Sequence, residues 1–114
     1  MEGIKKDNPI YDPLGIEIFA IDETFESVFN GLSGVYFRLY YKESKRPEAK
    51  HNIEKEKQFF KRFREIGRLK RSYRYNDWES KRKAVDIYAI ELRQMIDIEL
   101  SEYNTLKSSN PSKI

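Results

Sequence analysis

Hydrophobic residues recur at spacings of three and four along most of this chain, which is the period of an α-helix. The first such run starts after Asp22, and either Asp22 or Thr24 is suited to be its N-cap. The spacing predicts a first helix over about residues 23–43. Its apolar positions are Phe25, Val28, Phe29, Leu32, Val35, Tyr36, Leu39 and Tyr40.

Two further helical runs follow the first. The segment KESKRPEAK interrupts the pattern, and Pro47 suits the first turn of a new helix, where the missing N–H needs no partner. A second helix is therefore predicted over about residues 47–74. After the segment YRYNDWES, in which Asn76 and Glu79 have the spacing of a capping box, a third helix is predicted to extend to about residue 106. Its inner face holds Trp78, Val85, Tyr88, Leu92, Met95, Ile96, Leu100 and Tyr103.

The first 21 residues lack this period. Prolines and glycines interrupt them at Gly3, Pro9, Pro13 and Gly15, which predicts an extended N-terminal arm over residues 1–21. The isoleucine-rich segment GIEIFAID suggests a short strand at residues 16–21, which would need another chain to supply its partner.

A chain of 114 residues has room for one domain. We expect an all-α domain over residues 22–107, followed by a polar tail at 108–114. Its three helices are expected to form a three-helix bundle, or a helical hairpin plus one further helix.

The second helix is predicted to separate its charges from its apolar side chains. Phe59, Phe63 and Ile66 fall on one side when successive residues are turned by about 100°. Five cations fall in a narrow stripe on the other side, at spacings of four, three, four and three, and the stripe is about 20 Å long at about 1.5 Å per residue. No acid falls within it. We call these residues the basic stripe: Lys57, Lys61, Arg64, Arg68 and Arg71.

The basic stripe has two interpretations. A row of lysines and arginines can follow the phosphates of a nucleic acid, and arginine can bind a phosphate through two hydrogen bonds. A charged outer face is also what an ordinary solvated helix has. If the stripe is functional, its partner is expected to be a nucleic acid, an acidic protein or the acidic N-terminal arm of the same chain.

The turn after the second helix interleaves aromatic rings with cations, a composition found where bases stack and phosphates bind, and also in protein interfaces. Arg74 and Tyr75 are expected to be exposed, and Trp78 is expected to belong to the core. The anion-binding residues predicted near this turn are Arg74, Tyr75, Lys81 and Arg82.

Some apolar residues fall outside the main faces of the helices. Ile87, Ile90 and Ile98 lie opposite the inner face of the third helix, and Phe37 and Tyr41 lie off the apolar stripe of the first. Because a three-helix domain buries one face of each helix, something else must cover these five residues: helices on both sides, the N-terminal arm folding back, or a partner chain. Three isoleucines in one row favour the partner chain. The protein is expected to be a homo-oligomer or a subunit of a larger complex.

Two cations fall where apolar residues are expected. Arg62 and Lys70 fall within the apolar arc of the second helix, where each must reach the surface or meet a carboxylate. Glu99, on the inner face of the third helix, is a candidate partner for either of them.

The composition restricts the chemistry. Without cysteine there is no disulfide, thiolate ligand or thiol nucleophile. His51 is the only histidine, and its neighbours Glu48 and Glu54 give a single Glu-x-x-His pair where a di-iron bundle needs two. No phosphate loop or hydrolase motif occurs. We therefore expect no catalytic residue, metal or cofactor, and a soluble cytoplasmic chain with no membrane-spanning segment or secretory signal.

The positive charge lies in the middle of the chain. The net charge is only +3, but residues 53–83 hold twelve cations and five acids, whereas residues 1–31 hold two cations and seven acids. The sequence thus predicts a small, non-catalytic accessory or regulatory subunit. It would bind nucleic-acid backbone through the basic stripe and a protein through its apolar faces. The alternative is an adaptor or inhibitor, of the kind that phages and plasmids encode, with an acidic protein as its partner.

Overall fold

A computed structural model of the chain describes residues 13–108, and its regular secondary structure in this range is all helical. Three long helices are joined by two short connections. They are α1 (Pro13–Ser44), α2 (Ile53–Ser72) and α3 (Trp78–Ser108), with one turn of 3-10 helix at Glu48–Lys50 between the first two. No strand occurs in this range, so the all-α prediction is confirmed, and a three-helix bundle fits the arrangement.

The beginning of α1 corrects the prediction for the N-terminal region. Residues 13–21, expected to be extended with a strand at 16–21, form the first turns of α1 instead. Pro13 occupies the first helical position, where it is well tolerated, and Ile18, Ile21 and Phe25 continue the helical spacing backwards. A helix also satisfies its own backbone hydrogen bonds, which a lone strand cannot do. The rest of the predicted arm, residues 1–12, lies outside the described range, as does the tail from residue 109.

The starts of α2 and α3 also differ from the predicted ones, because other residues cap them. The side-chain oxygen of Asn52 accepts hydrogen bonds from the backbone N–H groups of Glu54 and Lys55. Consequently α2 begins at residue 53, and Pro47 precedes the 3-10 turn instead of opening the helix. At α3, Asp77 accepts from the N–H of Ser80 at 3.1 Å. The cap is therefore Asp77, one residue after the predicted Asn76.

Helix α1 is the central element of the fold. It runs antiparallel to α2, so that Phe25 meets Tyr73 at one end and Tyr40 meets Phe60 at the other. It runs parallel to α3. Both α2 and α3 pack on α1, whereas they make few direct contacts with each other. Among the residues whose burial the structure describes, seven of the nine buried hydrophobic ones therefore come from α1: Phe25, Val28, Phe29, Leu32, Val35, Tyr36 and Leu39, with Ile66 of α2 and Ala84 of α3 completing the set.

Helices α1 and α3 approach each other closely at one glycine. A Cβ atom at Gly31 would lie 3.0 Å from Cδ2 of Leu92, nearer than carbon atoms normally approach. Glycine at this position therefore lets Leu92 rest on the backbone of α1. The half-buried ring of Tyr88 packs beside it on the fully buried ring of Phe29, with centroids 5.2 Å apart.

The C-terminal half of α3 is less buried than its pattern predicts. Ile96, Leu100 and Tyr103, expected on the inner face, are exposed. Here α3 turns Glu99 and Glu102 toward α1, where they pair with arginines, so the apolar residues beside them stay outside the core. Since α2 barely contacts α3, no described element covers this flank.

Candidate nucleic-acid interface

All five residues of the basic stripe are exposed on α2. The helical period places them opposite Ile66, which is fully buried against α1, and opposite the half-buried Phe59. The apolar side of α2 thus fixes the orientation of the helix and turns the stripe to solvent, as the spacing predicts.

None of the five stripe residues makes an ion pair with any side chain that the structure describes, although the chain is rich in carboxylates. The pairs that do form involve cations elsewhere, such as Arg38 with Glu99 and Arg46 with Glu102. The described carboxylates therefore leave the charge of the stripe uncompensated at short range.

The two inward-facing cations of α2 behave in the opposite way. Arg62 donates two hydrogen bonds to Glu91 of α3, at 2.7 and 2.9 Å, and a third to Glu65 at 3.1 Å. Of the two alternatives for this residue, reaching the surface was the favoured one, and the structure shows the other: Arg62 meets carboxylates. The prediction that this carboxylate is Glu99 is wrong, because Glu99 accepts two bonds from Arg38 of α1 instead.

Lys70 is also paired. Its Nζ lies 2.7 Å from a carboxylate oxygen of Glu26 and donates to Oδ1 of Asn30, both on α1. Glu99 is thus not the partner of this residue either. Glu26 and Asn30 are one turn apart, so both face the end of α2 where Lys70 lies.

A third member joins Arg62 and Glu91. The hydroxyl of Tyr36, on α1, donates to the carboxylate of Glu91, which connects all three helices through one carboxylate. The hydrogen bonds from Arg62 lower the pKa of Glu91, and burial together with the bond to Glu91 raises the pKa of Tyr36. We call Tyr36, Arg62 and Glu91 the three-helix network.

Around the turn between α2 and α3, the structure separates the predicted anion-binding residues. Arg74, Tyr75 and Arg82 are exposed. Lys81 is not: it is only 8% exposed, and its Nζ lies 3.1 Å from Asp22 and donates to the carbonyl of Tyr75. We therefore correct its assignment from anion-binding to structural. The residue faces α1 at the first turn of α3, where a carboxylate already neutralises it.

Trp78 lies at the same turn and is half-buried. Its indole Nε1 is buried and has no hydrogen-bond partner among the described residues. It does not belong to the fully buried set that was expected to include it.

Two shallow grooves run along α2 beside its contact with α1, and residues of the basic stripe line both. The first has a volume of about 550 Å³ and is lined by Tyr40, Glu56, Lys57, Phe60, Lys61, Arg64 and Arg68. The second has a volume of about 410 Å³ and is lined by Ser33, Phe63, Arg64, Gly67, Arg68 and Arg71. Arg64 and Arg68 line both, so the grooves form one continuous surface.

Phe37 and Tyr41 lie beside this surface. Their side chains are 44% and 53% exposed, and their rings are nearly parallel, with an interplanar angle of 22° and centroids 6.4 Å apart. Phe37 also contacts Phe63 and Tyr40, which line the two grooves. Sequence reasoning placed the pair in a protein interface and missed its closeness to the stripe, because that depends on how α1 and α2 pack.

The isoleucine row of α3 is exposed as the pattern predicts. Ile87, Ile90 and Ile98 are 62%, 56% and 43% exposed, on the side of α3 that turns away from α1. The row lies apart from the basic stripe, which is carried by α2. The domain therefore presents a cationic surface and a separate apolar one.

Among the described residues we find little that suggests a catalytic or metal site. His51 is half-buried and bonds to Glu56, not to the expected neighbours Glu48 and Glu54. No group of three or more potential ligands could hold a metal ion within residues 13–108. In the same range, none of the helices combines the length and the apolar character needed to cross a membrane.

No protein-family model matches the chain, and comparisons with curated proteins and with solved structures give no match either. The case for a function therefore depends on the surfaces themselves.

Proposed function

We propose that the protein is a small, non-catalytic accessory or regulatory subunit that binds the backbone of a nucleic acid through its basic stripe. Arg74, Tyr75 and Arg82 extend this surface at the end of α2. Binding of this kind is electrostatic and independent of base sequence. It would operate in the cytoplasm, where a cysteine-free chain needs no oxidative folding.

One observation carries the proposal: five exposed cations stand in a row with no carboxylate partner among the described residues. In this protein, cations that face a neighbouring helix are matched by acids. The basic stripe lies on a helix about 30 Å long and has no carboxylate partner among the described residues. It therefore has the length and the charge to contact several phosphates.

The proposal is tested by replacing Arg64, Arg68 and Arg71 together with Gln. Glutamine keeps a good helix propensity, and the three side chains are exposed, so the fold should be preserved. Binding to a fluorescent oligonucleotide is measured by anisotropy at several salt concentrations. We expect weaker binding to all sequences, and a slope of log affinity against log salt that is smaller by up to about three units.

A matched control removes the same charge elsewhere. Lys50, Lys83 and Arg93 are exposed and make no described ion pair, and replacing them with Gln also lowers the net charge by three. This control should leave the salt slope nearly unchanged. The proposal fails if the wild type does not bind at low salt, or if both triple variants weaken binding equally.

The alternative, an adaptor or inhibitor with an acidic protein partner, is favoured if no nucleic acid binds but the stripe is still needed for function. Residues 1–12, which hold three acids and two lysines, are a further candidate for covering the stripe. A chain that starts at residue 13 tests this, because its binding should then exceed that of the full chain.

The protein partner is proposed to contact the isoleucine row of α3. Ile90→Asp places a charge in the middle of the row, where a contacting chain would have to bury it. We expect loss of self-association or of partner binding in sedimentation experiments, with helicity by circular dichroism unchanged. An unchanged association state would contradict this part of the proposal, and Arg93→Gln on the same helix is the control.

A further inference from the structure

The basic stripe and the ring pair of Phe37 and Tyr41 come from different helices, and the fold places them side by side. Phe37 contacts Phe63, which lines the second groove together with Arg64, Arg68 and Arg71. It also contacts Tyr40, which lines the first groove with Lys57 and Lys61. Cations and exposed rings thus lie on one surface.

We propose that this surface takes single-stranded nucleic acid in preference to duplex, with bases stacking on Phe37 and Tyr41 while the stripe holds the phosphates. The inference rests on the proposed function and names its substrate class. Stacking requires exposed base faces, and only an unpaired strand offers them, because the bases of a duplex are already stacked on each other. Any base can stack on a ring, so sequence independence is retained.

Three observations support this occupant over an apolar protein segment. The rings are bordered by five cations without described partners, which is the charge expected for a polyanion. The two rings are nearly parallel and one helical turn apart, so successive bases can be presented with ring faces of similar orientation. Lys45 adds a sixth cation at the rings: its Nζ lies over Tyr41, 5.3 Å from the ring centroid, and this exposed side chain can move to a phosphate when a base takes that face.

The ring of Phe37, against which Tyr41 stacks, is held in place by the packing of α1 on α2. Tyr40 and Phe60 have centroids 4.8 Å apart, and Phe60 and Phe63 are 5.9 Å apart. These partly buried rings form a base beneath Phe37. A platform fixed in this way loses little conformational freedom when a base stacks on it, which favours binding.

The test uses two probes of equal length: a 12-nucleotide oligothymidylate, and the same backbone with abasic sites in place of the bases. Both offer the same phosphates, but only the first offers bases. We expect the wild type to bind the oligothymidylate about tenfold or more tightly than the abasic strand at one salt concentration. A 12-base-pair duplex should bind less tightly than the oligothymidylate although it carries twice as many phosphates, because its bases are not free to stack on the rings.

The variant Phe37→Leu with Tyr41→Leu removes the rings but keeps apolar side chains with good helix propensity. It should bind the oligothymidylate about tenfold or more weakly, and the abasic strand as the wild type does, with the same salt slope. Phe19→Leu is the matched control, because Phe19 is an exposed ring on the same helix, about 27 Å from Phe37 along α1 at about 1.5 Å per residue. It should bind both probes as the wild type does.

The outcomes separate the two proposals. If the wild type binds both strands equally well, or if the double variant weakens both equally, base stacking is refuted while backbone binding through the stripe stands. If the wild type binds neither strand at low salt, the proposed function fails and the inference fails with it. A double variant that loses partner-protein binding alone would instead place the rings in a protein interface.

Discussion

Helix α2 carries cations on two sides, and the two sets differ in whether they form ion pairs. Arg62 and Lys70 point toward the neighbouring helices, and each meets a carboxylate there within 2.7 Å. Arg64 and Arg68 are only two residues away from them along the chain, yet neither has an ion pair among the described residues. The fold thus neutralises the inward-facing cations with carboxylates, whereas the outward-facing cations have no such partner among the described residues.

The difference arises from where the carboxylates lie. Glu26 of α1 and Glu91 of α3 occupy positions facing α2, and the stripe lies beyond their reach on the far side of the helix. A cation of α2 that faces a neighbouring helix therefore forms an ion pair that stabilises the fold. The functional proposal applies only to the cations that face outward.

Removing one cation from each set tests whether the two sets differ in their contribution to stability. Arg62→Ala should lower the free energy of unfolding by about 1–3 kcal/mol, because it leaves the half-buried Glu91 without its main donor. Arg64→Ala should change it by less than about 0.5 kcal/mol. Urea denaturation of the two variants measures both values. Equal losses would mean that the stripe also stabilises the fold.

A change of pH tests the contribution of the inner ion pairs to stability without a mutation. The bonds from Arg62 lower the pKa of Glu91, and those from Arg38 lower the pKa of Glu99, both from an ordinary value of 4.5. A carboxylate with a lowered folded-state pKa contributes stability above its unfolded pKa, and this contribution is lost as the pH falls through the folded one. Stability should therefore decrease below about pH 4.5.

The variant Glu91→Gln tests which group is responsible for this decrease. It removes the carboxylate that titrates but keeps a side chain of similar shape. The variant should be less stable than the wild type at pH 7, and the difference should shrink as the pH falls below 4. A constant difference across this range would assign the acid sensitivity to other groups.

An intermediate effect is expected where α1 packs on α3. Arg38 bonds to Glu99 at 2.6 and 2.9 Å, but its side chain is 54% exposed. A solvated pair of this kind contributes about 0–1 kcal/mol. Arg38→Gln should therefore have an effect between those of Arg62→Ala and Arg64→Ala in thermal denaturation. A loss as large as that of Arg62→Ala would show that exposure does not control the energy of these pairs.

The periodicity of the sequence was sufficient to predict the number of helices and the exposure of the stripe and of the isoleucine row. These features depend on one helix at a time. The start of α1 was missed because proline and glycine were taken as interruptions, although Pro13 is compatible with a first turn. The starts of α2 and α3 were missed because the caps are Asn52 and Asp77.

The features that sequence reasoning could not predict are those that involve two helices. Arg62 and Glu91 are 29 residues apart, and nothing local distinguishes Glu91 from Glu99 as a partner. Lys81 looks like its exposed neighbours until α1 brings Asp22 against it. The closeness of Phe37 to the stripe likewise follows from the packing of two faces that each helix presents separately.

The central position of α1 has a consequence for how the chain folds. Its contacts with α2 can close across a short connection, since Tyr40 and Phe60 are only 20 residues apart, whereas its contacts with α3 join residues such as Asp22 and Lys81, 59 apart. Loop closure favours the nearer pairing, so we expect the α1 and α2 hairpin to form first and α3 to dock afterwards. Amide hydrogen exchange should then show α3 opening at lower free energy than the hairpin. The surface that carries the stripe and the rings would thus be complete before the chain has finished folding.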